Sequence, residues 1–189
     1  MYRKEYSKGR YIKEKEDPEY KTHKTLSHKE LARQAIRTYF KKTPIHLERR
    51  PTPNGYIKKT CEQTTGEKQT IKPVLYIWRP TRCHHMKHTD YATGYSSQQF
   101  DAKTDKMDKA VVVMPESTYN NRVTRDSVYA HELAETLAGS HSLAIKAERK
   151  VEKHYGTTRE RMIRLAVKNF REAYACKQPI KKEKRVRYY

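Results

Sequence analysis

The sequence predicts an α+β domain in which a short twisted sheet packs on about four helices, with flexible basic termini. Three observations carry this expectation. Two runs rich in β-branched and aromatic residues, 71–78 (IKPVLYIW) and 110–114 (AVVVM), read as strands. Four segments, around 28–42, 124–138, 143–155 and 158–177, repeat apolar residues at helical spacing. Hydrophobic residues make up 35% of the 189 residues and charged residues 34%, so a modest core must be concentrated in those few segments. The length suits a single domain over 26–178, between a basic arm at 1–25 and a basic tail at 179–189.

Residues 1–25 are charged and nearly free of aliphatics, which predicts a flexible segment. Tyr2, Tyr6, Tyr11 and Tyr20 alternate there with basic residues. Such a pattern suits either a disordered tail or stacking on bases. Ser27-His28-Lys29-Glu30 is a capping box. The helix it opens runs to about Lys42 and stops before Pro44, with Leu31, Ala35, Ile36, Tyr39 and Phe40 on its core face. Arg33, Arg37 and Lys41 fall on the opposite face, either solvated or set against phosphates.

Residues 45–67 show little apolar periodicity, and a short hairpin around Tyr56, Ile57 and Thr60 is expected there. After the strand at 71–78 comes Cys83-His84-His85-Met86-Lys87-His88. It can be read as a metal site, a basic patch or a loop over another site. It lacks the spacing of a His-hydrophobic-His nuclease. Residues 89–109 read as a loop or a weak hairpin, and 110–114 as the second strand, ended by Pro115.

The most informative stretch is 124–148, TRDSVYAHELAETLAGSHSLAIKAE. On a helix, His131 and Glu135 lie within about 40° of each other. Ala130, Leu133, Ala134 and Leu137 form a separate face assigned to the core. Gly139 ends the helix in a turn that can return His141 towards His131. Leu143, Ala147 and Val151 then mark another helix to about Tyr155, capped by Gly156. Thr157 to Glu160 reads as a second capping box. The last helix follows, to about Lys177, with Met162, Leu165, Ala166, Phe170 and Ala173 as its buried stripe.

HELAE at 131–135 resembles the HExxH signature of zincin metallopeptidases, with glutamate in place of the second histidine. The interval from His131 to His141 is that of the longer metzincin pattern HExxHxxGxxH, with the glycine one place late at Gly139. The resemblance covers about residues 110–150. It implies a zincin-like domain in which zinc is held by His131, Glu135 and His141 and Glu132 is the catalytic base. A carboxylate binds zinc at distances similar to an imidazole, but its charge makes the ion a weaker Lewis acid. Glu148 competes with His141 as third ligand by analogy with the gluzincin branch, and surface ion pairing is its plainer role. The resemblance also implies that residues 110–114, or the segment before them, bind a protein or peptide substrate by strand addition.

The formal charge of +20 points to a polyanionic partner, DNA or RNA, or to a strongly basic solvated surface. The tail, with Lys181, Lys182, Lys184, Arg185 and Arg187, suits either role. The rival to the peptidase is therefore a basic nucleic-acid-binding protein on an inactive zincin-like scaffold. Three separated cysteines make no disulfide framework and suggest an intracellular setting, cytoplasmic or nucleoid-associated. The sequence has no membrane span, no secretory apolar core at its start and no phosphate-cradling glycine loop.

Overall fold

The computed structural model describes residues 25–37, 45–80 and 93–174. Six helices and a four-stranded mixed sheet account for most of these, an α+β arrangement. In chain order they are α1 (His28–Arg37), β1 (Ile45–Arg50), α2 (Gly55–Thr65), β2 (Val74–Pro80), β3 (Tyr95–Phe100) and β4 (Met107–Pro115). The short α3 (Glu116–Tyr119), then α4 (Arg122–Ala138), α5 (His141–His154) and α6 (Arg159–Tyr174) follow.

The sheet order is β1-β2-β4-β3. β1 runs antiparallel to β2 (Leu47 opposite Trp78), β2 parallel to β4 (Leu75 opposite Val112), and β3 antiparallel to β4 (Tyr95 opposite Val113). Ala110 to Met114 are all buried, so both faces of β4 are covered, as its unbroken apolar run requires. α1 packs on β3 and β4, and α4 packs on the same two strands and on α5. Trp78 anchors the far side of the core, with Phe170 and Tyr174 at ring separations of 5.6 and 6.4 Å.

Several expectations need correction. No hairpin forms at 56–60. Ile57, Thr60 and Cys61 instead line the buried face of α2, and the helix ends on Gly66 in the left-handed conformation. Two of those three buried residues are not aliphatic, which hid the helical period. β1 buries only Leu47, as befits an outer strand, and so carries almost no apolar signal. The strand expected at 71–78 begins at Val74 and continues through Pro80. Residues 95–115 do form a hairpin, turned at Asp101, whose Oδ1 accepts from the Lys103 and Thr104 amides. β4 lies inside the sheet, so 110–114 cannot add a substrate strand; the outer position belongs to β3.

The capping box of α1 forms as read: the Ser27 amide donates to Glu30, and the Glu30 amide to the Ser27 hydroxyl. For α6 the cap is Thr158, whose Oγ1 accepts from the Arg161 amide. On that helix Met162, Ala166, Val167 and Phe170 are buried, whereas Ala173 is exposed and Leu165 half-buried. Rows of i, i+4, i+8 set the buried face rather than the 165/173 row. The arm before Thr25, the extension of α1 beyond Arg37 (with Lys41) and the Cys83–His88 cluster lie outside the described residues. So do the end of the last helix beyond Tyr174 and the tail residues Lys181, Lys182, Lys184, Arg185 and Arg187.

Candidate metal centre

α4 carries the site, and its position follows from local sequence. Asn121 caps its start, the side-chain oxygen accepting from the Val123 and Thr124 amides. Ala130, Leu133 and Ala134 turn into the core, with Leu137 packed at its margin. This leaves His131, Glu132 and Glu135 towards a cleft of about 960 Å³, lined by α1, β3, α4, α5 and the start of α6. Gly139 (φ 59°) ends α4 in the left-handed conformation, its amide donating to the Glu135 carbonyl. A tight turn of this kind favours glycine. After Ser140 the chain enters α5 at His141, which returns to the same ion-sized space.

Nε2 of His131 is 3.7 Å from a Glu135 oxygen, and Nδ1 of His141 is 3.9 Å from the other. The two imidazoles meet edge to face at 4.9 Å. One donor atom from each of the three residues lies within 4.8 Å of the other two. Two ligands on a tetrahedral zinc, at bonds of about 2.1 Å, are about 3.4 Å apart. The Glu135 contacts are within about half an ångström of that spacing, and two imidazoles with a carboxylate are a donor set zinc accepts. The trio could therefore hold a metal ion. Exposure rises outwards across the trio, from 13% for the His131 side chain through 40% for Glu135 to 56% for His141.

Behind His131 stands a residue the sequence reading placed elsewhere. Glu148 is only 2% exposed and is no surface ion pair. One of its oxygens is 2.8 Å from His131 Nδ1 and accepts from Arg159 Nε at 3.2 Å. Glu148 thus meets the nitrogen opposite the one facing Glu135, so it orients the imidazole and does not compete with His141 as a third ligand. The signal was present in the sequence, since Glu148 sits between Ala147 and Val151 on the buried stripe of α5. Burial pulls the His131 pKa down, but the hydrogen bond to Glu148 and the charges of Glu132, Glu148 and Glu135 outweigh it, and the net shift is upward.

Glu152, one turn further along α5, is 1% exposed, and neither of its oxygens meets a donor. Burial first, then the neighbouring Glu148 charge, pushes its carboxyl well above the usual range. Burial and the Glu148 charge thus favour the neutral form of the Glu152 carboxyl.

Glu132 is also buried, at 8% exposure. Desolvation pushes its carboxyl up to about 7, against the opposing pull of His131 and of a hydrogen bond from Ser96 on β3. Gly94, just before β3, is what lets that strand approach. A Cβ there would lie 2.6 Å from Val128 Cγ1, 3.1 Å from the Val113 carbonyl oxygen and 3.4 Å from Glu132 Cγ. Gly94, Ser96 and Arg159 are site residues that sequence reasoning missed. Arg33 and Arg37, the described members of the expected nucleic-acid contacts, are exposed on α1.

The chain matches no protein family, no curated protein and no solved structure with which it was compared. Among the described residues no helix is long and apolar enough to cross a membrane.

Proposed function

We propose that this chain is a zinc-dependent hydrolase of the zincin type, acting on a peptide carbonyl. The observation that carries the reading is the convergence of His131, Glu135 and His141 in front of a buried carboxylate, Glu148, on the far nitrogen of His131. A zinc ion held by those three side chains would supply Lewis-acid chemistry, making water more acidic and polarising a carbonyl.

The remaining work falls to the chain's own groups. Glu132 is the proton acceptor. With its carboxyl raised to about 7 it takes a proton from water near neutral pH and still releases it to a leaving amine. Ser96 hydrogen-bonds to that carboxyl. Glu148, braced by Arg159, holds His131 with Nε2 outward. β3 lines the cleft beside Glu132 and offers backbone pairing to an extended substrate.

The test is elemental analysis of purified protein, wild type against His131→Ala, together with a casein-cleavage assay on Glu132→Gln. The expected result is about one zinc per chain, lost in His131→Ala. Glu132→Gln should keep the zinc while activity falls at least about 100-fold. Equal and negligible zinc in both wild type and His131→Ala rejects the centre. Full activity in Glu132→Gln rejects the base.

A further inference from the structure

At the other end of α5, 13 residues and hence about 20 Å from His141, lies a surface with a different character. Tyr56 on α2 is the one large hydrophobic side chain that stands exposed among the described residues, at 42%. Its ring is 4.8 Å from that of His154. His154 meets Tyr155 at 5.3 Å, and the Arg122 guanidinium lies 5.6 Å from the centre of the Tyr155 ring. Four flat π groups from three elements thus form a continuous row. The row is braced from beneath: the Tyr155 hydroxyl donates to buried Asp126, which Arg125 also holds, and accepts from Arg122.

The exposed charge that α5 brings to this row has one sign. Both acidic residues of α5 are buried, so its exposed charged side chains are Lys146, Arg149, Lys150 and Lys153. Lys150 and Lys153 are one turn or less from His154, and exposed Lys59 is one turn from Tyr56. The chain as a whole carries +20.

We infer that this surface binds single-stranded nucleic acid, with bases stacked on Tyr56 and His154 and the backbone running along Lys59, Lys150 and Lys153. Every base has a π face, so an aromatic row among cations takes a single strand with little regard to sequence. A duplex keeps its bases internal and meets only the cations. The inference does not depend on the metal centre and survives if that centre fails.

The experiment is fluorescence anisotropy on the full chain with a labelled oligothymidylate of about 15 nucleotides, titrated across salt. A duplex of the same length and phosphatidylserine vesicles serve as comparators. The single strand should bind more tightly than the duplex, and binding should weaken with salt. Tyr56→Ala combined with His154→Ala should weaken single-strand binding about 10-fold at fixed salt, leaving the salt slope unchanged. Tyr56→Trp, which keeps a stacking surface at an exposed position, should bind as wild type or better. Lys150→Ala with Lys153→Ala should instead reduce the slope by about 1.4, two contacts at about 0.7 each. Wild-type affinity in the aromatic double variant overturns the inference. So does equal or tighter binding of duplex, or binding to the vesicles alone.

Discussion

Replacing Glu148 tests the metal centre most sharply, because the isosteric change is nearly silent elsewhere. The same Glu148 oxygen contacts His131 Nδ1 and accepts from Arg159 Nε, at 2.8 and 3.2 Å. In Glu148→Gln the amide oxygen can occupy that position and serve both donors. The amide nitrogen then falls beside Glu152, which has no donor of its own and can accept. Shape and hydrogen-bond count are preserved, and only the charge behind His131 is lost. Loss of such an outer carboxylate costs about 10- to 100-fold in metal affinity. With orientation retained, Glu148→Gln belongs at the lower end, about 10-fold or about 1.4 kcal/mol. Glu148→Ala also frees the ring to rotate and belongs at the upper end. It further leaves Arg159 and the His131 N–H without their buried partner, costing about 3 kcal/mol of stability. Zinc competition against a chromogenic chelator measures the affinities, and urea unfolding the stabilities. If Glu148→Gln and Glu148→Ala bind zinc as wild type does while His131→Ala does not, Glu148 does not orient the ligand and the account of His131 is wrong.

Other consequences can be checked separately. Gly94→Ala puts a methyl group 2.6 Å from Val128 Cγ1 and 3.1 Å from the Val113 carbonyl oxygen, so both must shift. It should cost about 1–3 kcal/mol, read as a lowered Tm, and an unchanged Tm would refute the close approach of β3. Asn121→Ala removes the α4 cap and should cost about 1 kcal/mol in urea unfolding. Glu152 has a folded-state pKa raised above its unfolded value, so its contribution to stability is full below about 4.5. That contribution fades as pH rises through about 8. Glu152→Gln should therefore flatten the loss of stability between about pH 4.5 and about 8, the window set by that shift. Parallel curves for wild type and variant would show that Glu152 is not the buried acid described.

Legibility in the sequence differed between neighbouring residues for physical reasons. The apolar run of β4 announced a central strand because both its faces are covered. β1 and β3 did not announce themselves, since β1 buries one residue and β3 none fully. α2 was missed because Thr60 and Cys61 occupy buried places where aliphatics are expected. In the site, His131 and Glu135 share a helix face by periodicity alone, and Gly139 marked the turn to His141. Glu148 was legible as a member of the α5 stripe, yet its charge suggested the surface. Only its ion pair with Arg159 and its contact with His131 make burial tolerable.

By itself, the sequence determined what spacing within one element determines. It set which side chains of α4 face inward, where that helix ends, and which histidine and glutamate stand one turn apart. Tertiary structure alone decided what lies opposite them: Glu148 behind His131, Ser96 on Glu132, β3 at the open edge and Tyr56 against His154. Helical and strand periods are properties of a few neighbouring residues. Contacts between separate elements depend on how the whole core packs, and no local pattern encodes that.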